Sequence, residues 1–139
     1  MTRHSIKGLL IPSAGPLLRG RLYAGVGPNT GGMVLVGTGA SLSVVDREVA
    51  RQLGLPSHGA AEWRAAGAAH AEISPRRRAS LELGDDRRRW QLDLIEANLS
   101  HQVSGYAVIA LLGWDFLSGC RMTVDGPGRT FELVLPRNR

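Results

Sequence analysis

The sequence predicts a single all-β domain with one or two short helices. Its apolar residues form short runs of strand length, and in several runs apolar and polar residues alternate. Most of the 18 glycines and seven prolines fall between these runs, where turns are expected. A chain of 139 residues can bury one hydrophobic core but not two, so we expect one domain over 1–139 with its core over about 17–136.

The N-terminal part of the chain predicts a short strand followed by a hairpin. The short strand covers 9–11 and ends at Pro12. Residues 17–26 alternate and are expected to pair with the apolar run 33–36 through a turn over 27–32, which contains Gly, Pro and Asn. The hairpin would deliver the small-residue segment that begins at Gly37 to one end of the sheet.

A helix is predicted next, over Arg47–Leu53. Asp46 is a suitable N-cap and Gly54 a suitable stop. The segment 57–75 is rich in alanine, but glycines interrupt it and no apolar face repeats with helical spacing. Trp63 is its one large side chain, and no helix is predicted there.

The C-terminal half predicts a series of strands and one short helix. The continuous apolar run 106–112 is expected to be a central strand, and residues 114–118 a short helix that ends at Gly119. The remaining strands are expected to form two hairpins, 79–83 with 90–97 and 121–125 with 130–135.

The net charge of +5 arises mainly from two arginine clusters, 76–78 and 87–89. A nucleic-acid surface would combine basic residues with aromatic ones, and Trp90 is the only aromatic residue beside either cluster. We therefore interpret the clusters as solvated turn ends that discourage edge pairing, and predict no nucleic-acid partner.

Other classes of function lack their signals in this sequence. The histidines are scattered without ligand spacing, and Gly37-Thr38-Gly39 lacks the third glycine of a dinucleotide loop, so no metal and no cofactor are expected. No run is long enough to span a membrane and no hydrophobic leader is visible, so no membrane partner and, by default, a cytoplasmic location are predicted. Cys120, the single cysteine, is expected to be a small buried hydrophobe.

Two motifs carry a resemblance to a known family. The first is the apolar strand 33–36 followed by Gly37, Thr38, Gly39, Ala40 and Ser41; the second is Leu111-Leu112-Gly113 followed by Trp114 and Asp115. In this order and separation they resemble the retropepsin-like aspartic proteases, whose first motif reads Asp-Thr-Gly-Ala-Ser. The resemblance covers most of the chain and implies a closed β-barrel that works as a homodimer, with one motif from each copy.

The resemblance also implies a site for an extended peptide or protein substrate. Thr38 would hydrogen-bond across the dimer axis and Gly39 would offer its carbonyl to the substrate. A hairpin over 63–70, the flap of the family, would close over the peptide with its tip at Ala66 and Gly67. The expected catalytic positions are Gly37, Thr38 and Gly39. The expected substrate-binding positions are Ala40, Ser41, Ala66, Gly67, Leu112 and Gly113.

Gly37 stands where the family has its catalytic aspartate. The family mechanism needs two carboxylates around one water, so this sequence is predicted to be inactive in peptide hydrolysis. Asp46 and Asp115 are expected to serve structural roles and not to replace the missing group.

Two explanations for Gly37 are open. One is a deliberately inactivated form of a protease, which the intact neighbours at 38–41 favour. The other is a natural pseudoprotease whose cleft binds extended peptides or a protein partner without cutting them.

Overall fold

The computed structural model describes residues 4–64, 67–99, 103 and 105–137. In these residues the chain is mostly β, with ten strands and two short helices. The strands, in chain order, are β1 Ser5–Ile11, β2 Gly15–Tyr23, β3 Asn29–Val36, β4 Val44–Asp46, β5 Ser57–Trp63, β6 Glu72–Leu83, β7 Trp90–Ala97, β8 Val108–Leu112, β9 Arg121–Asp125 and β10 Thr130–Val134. The helices are α1 Arg47–Leu53 and α2 Trp114–Leu117. The all-β prediction is thereby confirmed.

The strands form one sheet in the order β5-β6-β7-β4-β8-β3-β2-β1-β10-β9. Strand β6 also pairs with β2, so six strands are linked in a ring of pairings that runs β2-β3-β8-β4-β7-β6 and back to β2. Most neighbours are antiparallel, but β3 runs parallel to β8, and β4 parallel to β7. A closed barrel of the retropepsin type stays a prediction.

Both helices begin and end where the sequence predicts, to within a residue. Asp46 accepts a hydrogen bond from the amide of Val49 at 3.4 Å and so caps α1, and Gly54 ends it in the left-handed conformation, with φ of 61°. The last turn of α1 buries Ala50 and Leu53 in the core. Helix α2 is a single turn that buries Phe116 and Leu117.

Several element predictions need correction. Strand β1 begins at Ser5 and not at residue 9, and β3 begins at Asn29, inside the turn predicted over 27–32. Strand β6 begins at Glu72 and not at residue 79, so arginines 76–78 lie inside the strand. The hairpin expected over 63–70 has its strands outside that range, because β5 and β6 pair through Trp63↔Glu72 and leave 64–71 between them. Strand β4 was not predicted, since three residues carry too little periodicity to stand out.

The core consists of a large cluster and a small one. The large cluster packs between the sheet and both helices and includes fully buried Leu18, Leu22 and Leu112. The small cluster lies where β3 and β8 run side by side, and its buried members are Leu17, Leu35, Leu99, Val103 and Val108. Leu111 and Val44, both partly buried, pack against the small cluster.

Candidate functional site

Residues 37–41, here called the 37–41 loop, connect β3 to the segment before β4. The amide of Gly37 donates to the carbonyl of Leu112 at 2.8 Å, which continues the parallel pairing of β3 with β8 for one more residue. The amide of Ala40 then donates to the carbonyl of Gly37 at 3.0 Å and closes a tight turn. The loop thus begins as an extension of the sheet and turns back over the end of β8.

The start of α2 holds the 37–41 loop in place. Backbone amides of Trp114 and Asp115 donate to the carbonyls of Ala40 and Ser41 at 2.9 and 3.1 Å. The indole Nε1 of Trp114 also donates to the carbonyl of Thr38 at 2.6 Å. The two sequence motifs, which are far apart in the chain, therefore meet in one hydrogen-bonded unit.

A buried hydroxyl strengthens the same junction. Ser43, which is fully buried, donates from Oγ to Oδ1 of Asp115 at 2.6 Å and from its backbone amide to Oδ2 at 3.0 Å. Its Oγ also accepts the amide of Gly113 at 3.0 Å. The carboxylate of Asp115 is thus engaged in structural hydrogen bonds.

The three glycines of the site differ in the space that a side chain would find at their positions. A Cβ on Gly113 would lie 2.6 Å from the backbone carbon and oxygen of Leu42, so only glycine lets the two segments approach. A Cβ on Gly37 would lie 2.6 Å from Cδ2 and 2.9 Å from Cγ of Leu111. A Cβ on Gly39 would have no atom within 4 Å, and Gly39 does not have a positive φ.

A cleft of about 360 Å³ opens beside the loop. Its lining comes from the loop and β4, from the end of β5, from the end of β7 and from β8. These residues are Gly39, Ala40, Ser41, Leu42, Val44, Glu62, Trp63, Arg64, Ile95, Ala97, Asn98, Leu99 and Leu111. Most of the side chains are apolar, so the cleft suits an apolar group with polar contacts at its edge.

The β5–β6 hairpin forms one wall of the cleft. Trp63 lies at the end of β5 and its indole Nε1 donates to Oγ of Ser74 on β6 at 2.8 Å. Since Ser74 is only 7% exposed, this bond satisfies a buried hydroxyl and fixes the indole against the hairpin. The loop and the hairpin therefore face the same space.

The expected site residues fall into three groups. Ala40, Ser41 and Gly39 line the cleft, while Gly37 and Thr38 lie in the same loop next to it. Leu112 is fully buried and Gly113 is covered by the backbone of Leu42, so in this structure both hold the loop rather than face the cleft. Gly67 is exposed and is not among the residues that line the cleft. Ala66 lies outside the described residues.

Neither carboxylate near the loop is free to replace an aspartate at position 37. Asp46 is 5% exposed and accepts the amide of Leu99 at 2.9 Å in addition to capping α1. Asp115 is engaged by Ser43. Among the described residues that line the cleft, Glu62 is the one acidic side chain, and it is exposed on the hairpin.

Most of the apolar lining of the cleft carries no signal in the sequence. Leu42, Val44, Ile95, Leu99 and Leu111 come from different strands and loops, and each is an ordinary apolar residue in a strand or beside one. Only the folded structure, which brings them together around one cleft, distinguishes them from residues of the core. Of these residues, Leu111 is the one that the sequence marks as part of a site, because it belongs to the second motif.

The arginines of the first cluster, 76–78, each lie beside an acid on β7. Within β6, Arg76 and Arg78 lie 3.3 and 3.4 Å from the carboxylate of Asp93, and Arg77 lies 3.0 Å from that of Glu96. The expectation that this cluster marks a turn end is therefore wrong, because facing acids on β7 let β6 carry three arginines in succession. Arginines 87–89 do lie in the connection between β6 and β7, as predicted.

Neither helix of the described residues is long and apolar enough to cross a membrane. In the same part of the chain, no group of three or more His, Cys, Asp and Glu side chains is placed to hold a metal ion.

Comparison with protein-family models gives no match for this sequence, and comparison with curated proteins gives none either.

Proposed function

We propose that the chain is a retropepsin-like domain of the aspartic endopeptidase family, with the closed barrel of that family. Two copies form a homodimer and hold an extended peptide between the 37–41 loops and the β5–β6 hairpins. Because Gly37 stands where the family has its aspartate, the glycine form of the protein binds such a peptide without cutting it.

One observation carries the proposal: the hydrogen bonds that join the 37–41 loop to the start of α2, beside a cleft. They bring together the two motifs on which the resemblance rests, through Trp114, Asp115 and Ser43. A loop fixed at both ends by backbone and side-chain bonds can hold a reacting group in one position.

Gly39 supports the part of the proposal that concerns a second molecule. Thr38 and Gly39 are exposed, and no contact among the described residues requires position 39 to be glycine. A peptide backbone or a partner loop passing close to that position would require it. An extended peptide could then pair with the loop as a strand, with its side chains directed alternately into and out of the cleft.

The dimer follows from the chemistry of the family. The ionised carboxylate of a pair activates water, and the neutral one protonates the carbonyl oxygen of the peptide bond. A chain with one motif supplies one of the two positions, so a complete site needs a second copy related by a two-fold axis.

The test is to restore the carboxylate. We expect Gly37→Asp, combined with Leu111→Ala because Leu111 lies over position 37, to cleave peptides from a broad library. Cleavage should be faster at acid pH and blocked by pepstatin-type transition-state mimics. The matched control is Gly37→Asn with the same Leu111 change, which has the same size but no carboxylate and should be inactive.

Sedimentation of the same proteins tests the dimer. A folded, dimeric aspartate variant that cleaves nothing in the library overturns the protease proposal. A chain that sediments as a monomer at every concentration, with and without peptide, overturns the shared cleft.

A second candidate is a natural pseudoprotease that only binds peptides. It is favoured by the Leu111 side chain over Gly37 and by the engagement of Asp46 and Asp115 in structural bonds. For this candidate we expect the glycine form to bind extended apolar peptides in titration calorimetry, while the aspartate variant binds them equally well and cuts none.

A further inference from the structure

We infer that Leu111 determines which residues position 37 can hold, and that with glycine there it covers the place where a carboxylate would stand. A Cβ on Gly37 would lie 2.6, 2.9 and 3.2 Å from Cδ2, Cγ and Cδ1 of Leu111. The whole branched end of the leucine therefore occupies the space that any other residue at 37 needs.

Backbone conformation does not explain the glycine. Gly37 is not among the glycines with positive φ, and its amide makes an ordinary bond to the carbonyl of Leu112. An L-residue can adopt this conformation, so space is the restriction, and the three atoms nearest to such a Cβ all belong to Leu111.

The side chain of Leu111 can yield toward the cleft. Strand β8 fixes its backbone opposite Leu35, and its side chain packs against the small core cluster. Its remaining side borders the cleft. A larger residue at 37 would therefore push the leucine into the cleft and narrow it, which couples the identity of residue 37 to the shape of the peptide-binding space.

The contact between Leu111 and position 37 is independent of the proposed function. Its effect on catalysis rests on that function. If the cleft is a protease site, the branched end of Leu111 fills with hydrocarbon the volume that a carboxylate at 37 would take. With Leu111 unchanged, an aspartate at position 37 would either be shifted by the leucine or push the leucine aside. A smaller residue at position 111 would leave room for the carboxylate.

Stability measurements test the packing without reference to activity. We expect Gly37→Ala to lower the urea midpoint of unfolding when Leu111 is present. In a Leu111→Ala background we expect the same change to raise the midpoint, because the new methyl group enters vacated space and alanine restricts the unfolded chain more than glycine does. Leu111→Val provides the same comparison if Leu111→Ala does not fold.

The matched control is Gly39→Ala, in the same loop but with no atom near its Cβ. Its effect on the midpoint should be the same in the parent protein as in the Leu111→Ala background. If Gly37→Ala has equal effects in the two backgrounds, the inference is overturned, whatever the activity of any variant.

Activity then separates the inference from the proposed function. We expect Gly37→Asp with Leu111→Ala to cleave peptides at least about 10-fold faster than Gly37→Asp alone, a difference of about 1.4 kcal/mol in the activation free energy. Cleavage by both proteins at equal, measurable rates overturns the inference while supporting the protease. Coupled stability with no cleavage by either protein supports the inference and counts against the protease.

Discussion

The hydroxyl of Ser43 donates a 2.6 Å hydrogen bond to Oδ1 of Asp115, although 72 positions separate the two residues in the chain. The same hydroxyl accepts the amide of Gly113, and the backbone amide of Ser43 donates to the other oxygen of Asp115. One buried side chain thus joins the segment after the 37–41 loop to the start of α2. The contact therefore adds to the hydrogen bonds from Trp114 and Asp115 that hold the loop, which has no secondary structure of its own.

We expect Ser43→Ala to lower the free energy of unfolding by about 1–3 kcal/mol. The substitution leaves the amide of Gly113 buried without its acceptor and removes one of two bonds to Asp115. Urea unfolding measures the change. Ser41→Ala is the control, since Ser41 is exposed and its side chain makes no hydrogen bond among the described residues.

A double-mutant cycle separates the contact from general damage. If Ser43→Ala and Asp115→Ala act through the same bonds, the double variant should be less destabilised than the sum of the two single variants. Simple additivity would show that the serine and the carboxylate stabilise the fold independently.

Asp46 is expected to be as important for stability as a core residue. Its carboxylate caps α1 and accepts the amide of Leu99, so Asp46→Ala removes a cap worth about 1 kcal/mol and leaves a buried amide that costs about 1–3 kcal/mol more. Glu48→Ala, exposed on the first turn of the same helix, serves as the control and should cost far less. Equal losses in thermal unfolding for the two variants would contradict the structural role of Asp46.

The sequence predicted most clearly those elements whose signals are local. Asp46 and Gly54 mark the ends of α1 because capping depends on one side chain and one backbone conformation. The glycines around the β2–β3 turn likewise identify a hairpin without knowledge of the rest of the fold. The helix and the hairpin therefore agree with prediction to within a few residues.

What the sequence did not predict depends on distant neighbours. Strand β6 carries three successive arginines because Asp93 and Glu96 lie beside them on β7, and no property of 76–78 alone indicates this. The apolar lining of the cleft is hidden for the same reason, since Ile95 and Leu111 resemble core residues until the sheet brings them beside the 37–41 loop.

Cys120 is expected to react slowly with thiol reagents. It is half-buried against the large core cluster, and burial raises the pKa of its thiol from 9.0 to about 11. At about pH 8 the thiolate fraction should then be about 100-fold smaller than that of an unperturbed thiol. Ellman's reagent measures the rate, and the urea-unfolded chain is the control. Equal rates in the folded and unfolded chains would contradict the burial of the thiol.

Asp86 lies where the segment around His4 meets the segment around Pro136, and its titration should make the stability of the protein depend on pH. Its side chain is 4% exposed and lies 3.2 Å from Nδ1 of His4 and 3.0 Å from Nη2 of Arg88. Arg88 in turn donates to the carbonyls of Pro136 and Arg137. Burial by itself would raise the pKa of Asp86, but the hydrogen bonds and charge of Arg88, together with the charge of His4, lower it below the usual range.

A lowered pKa in the folded state means that the unfolded chain binds the proton at higher pH. The stabilisation is therefore present above the ordinary aspartate pKa of about 3.9 and is lost as pH falls through the lower folded value. We expect Asp86→Asn to be less stable than the parent at neutral pH and to lose less stability between about pH 5 and pH 2. Asp85→Asn, at the exposed neighbouring position, should keep the parent's acid dependence, and an equal slope for Asp86→Asn would show that the junction does not titrate through Asp86.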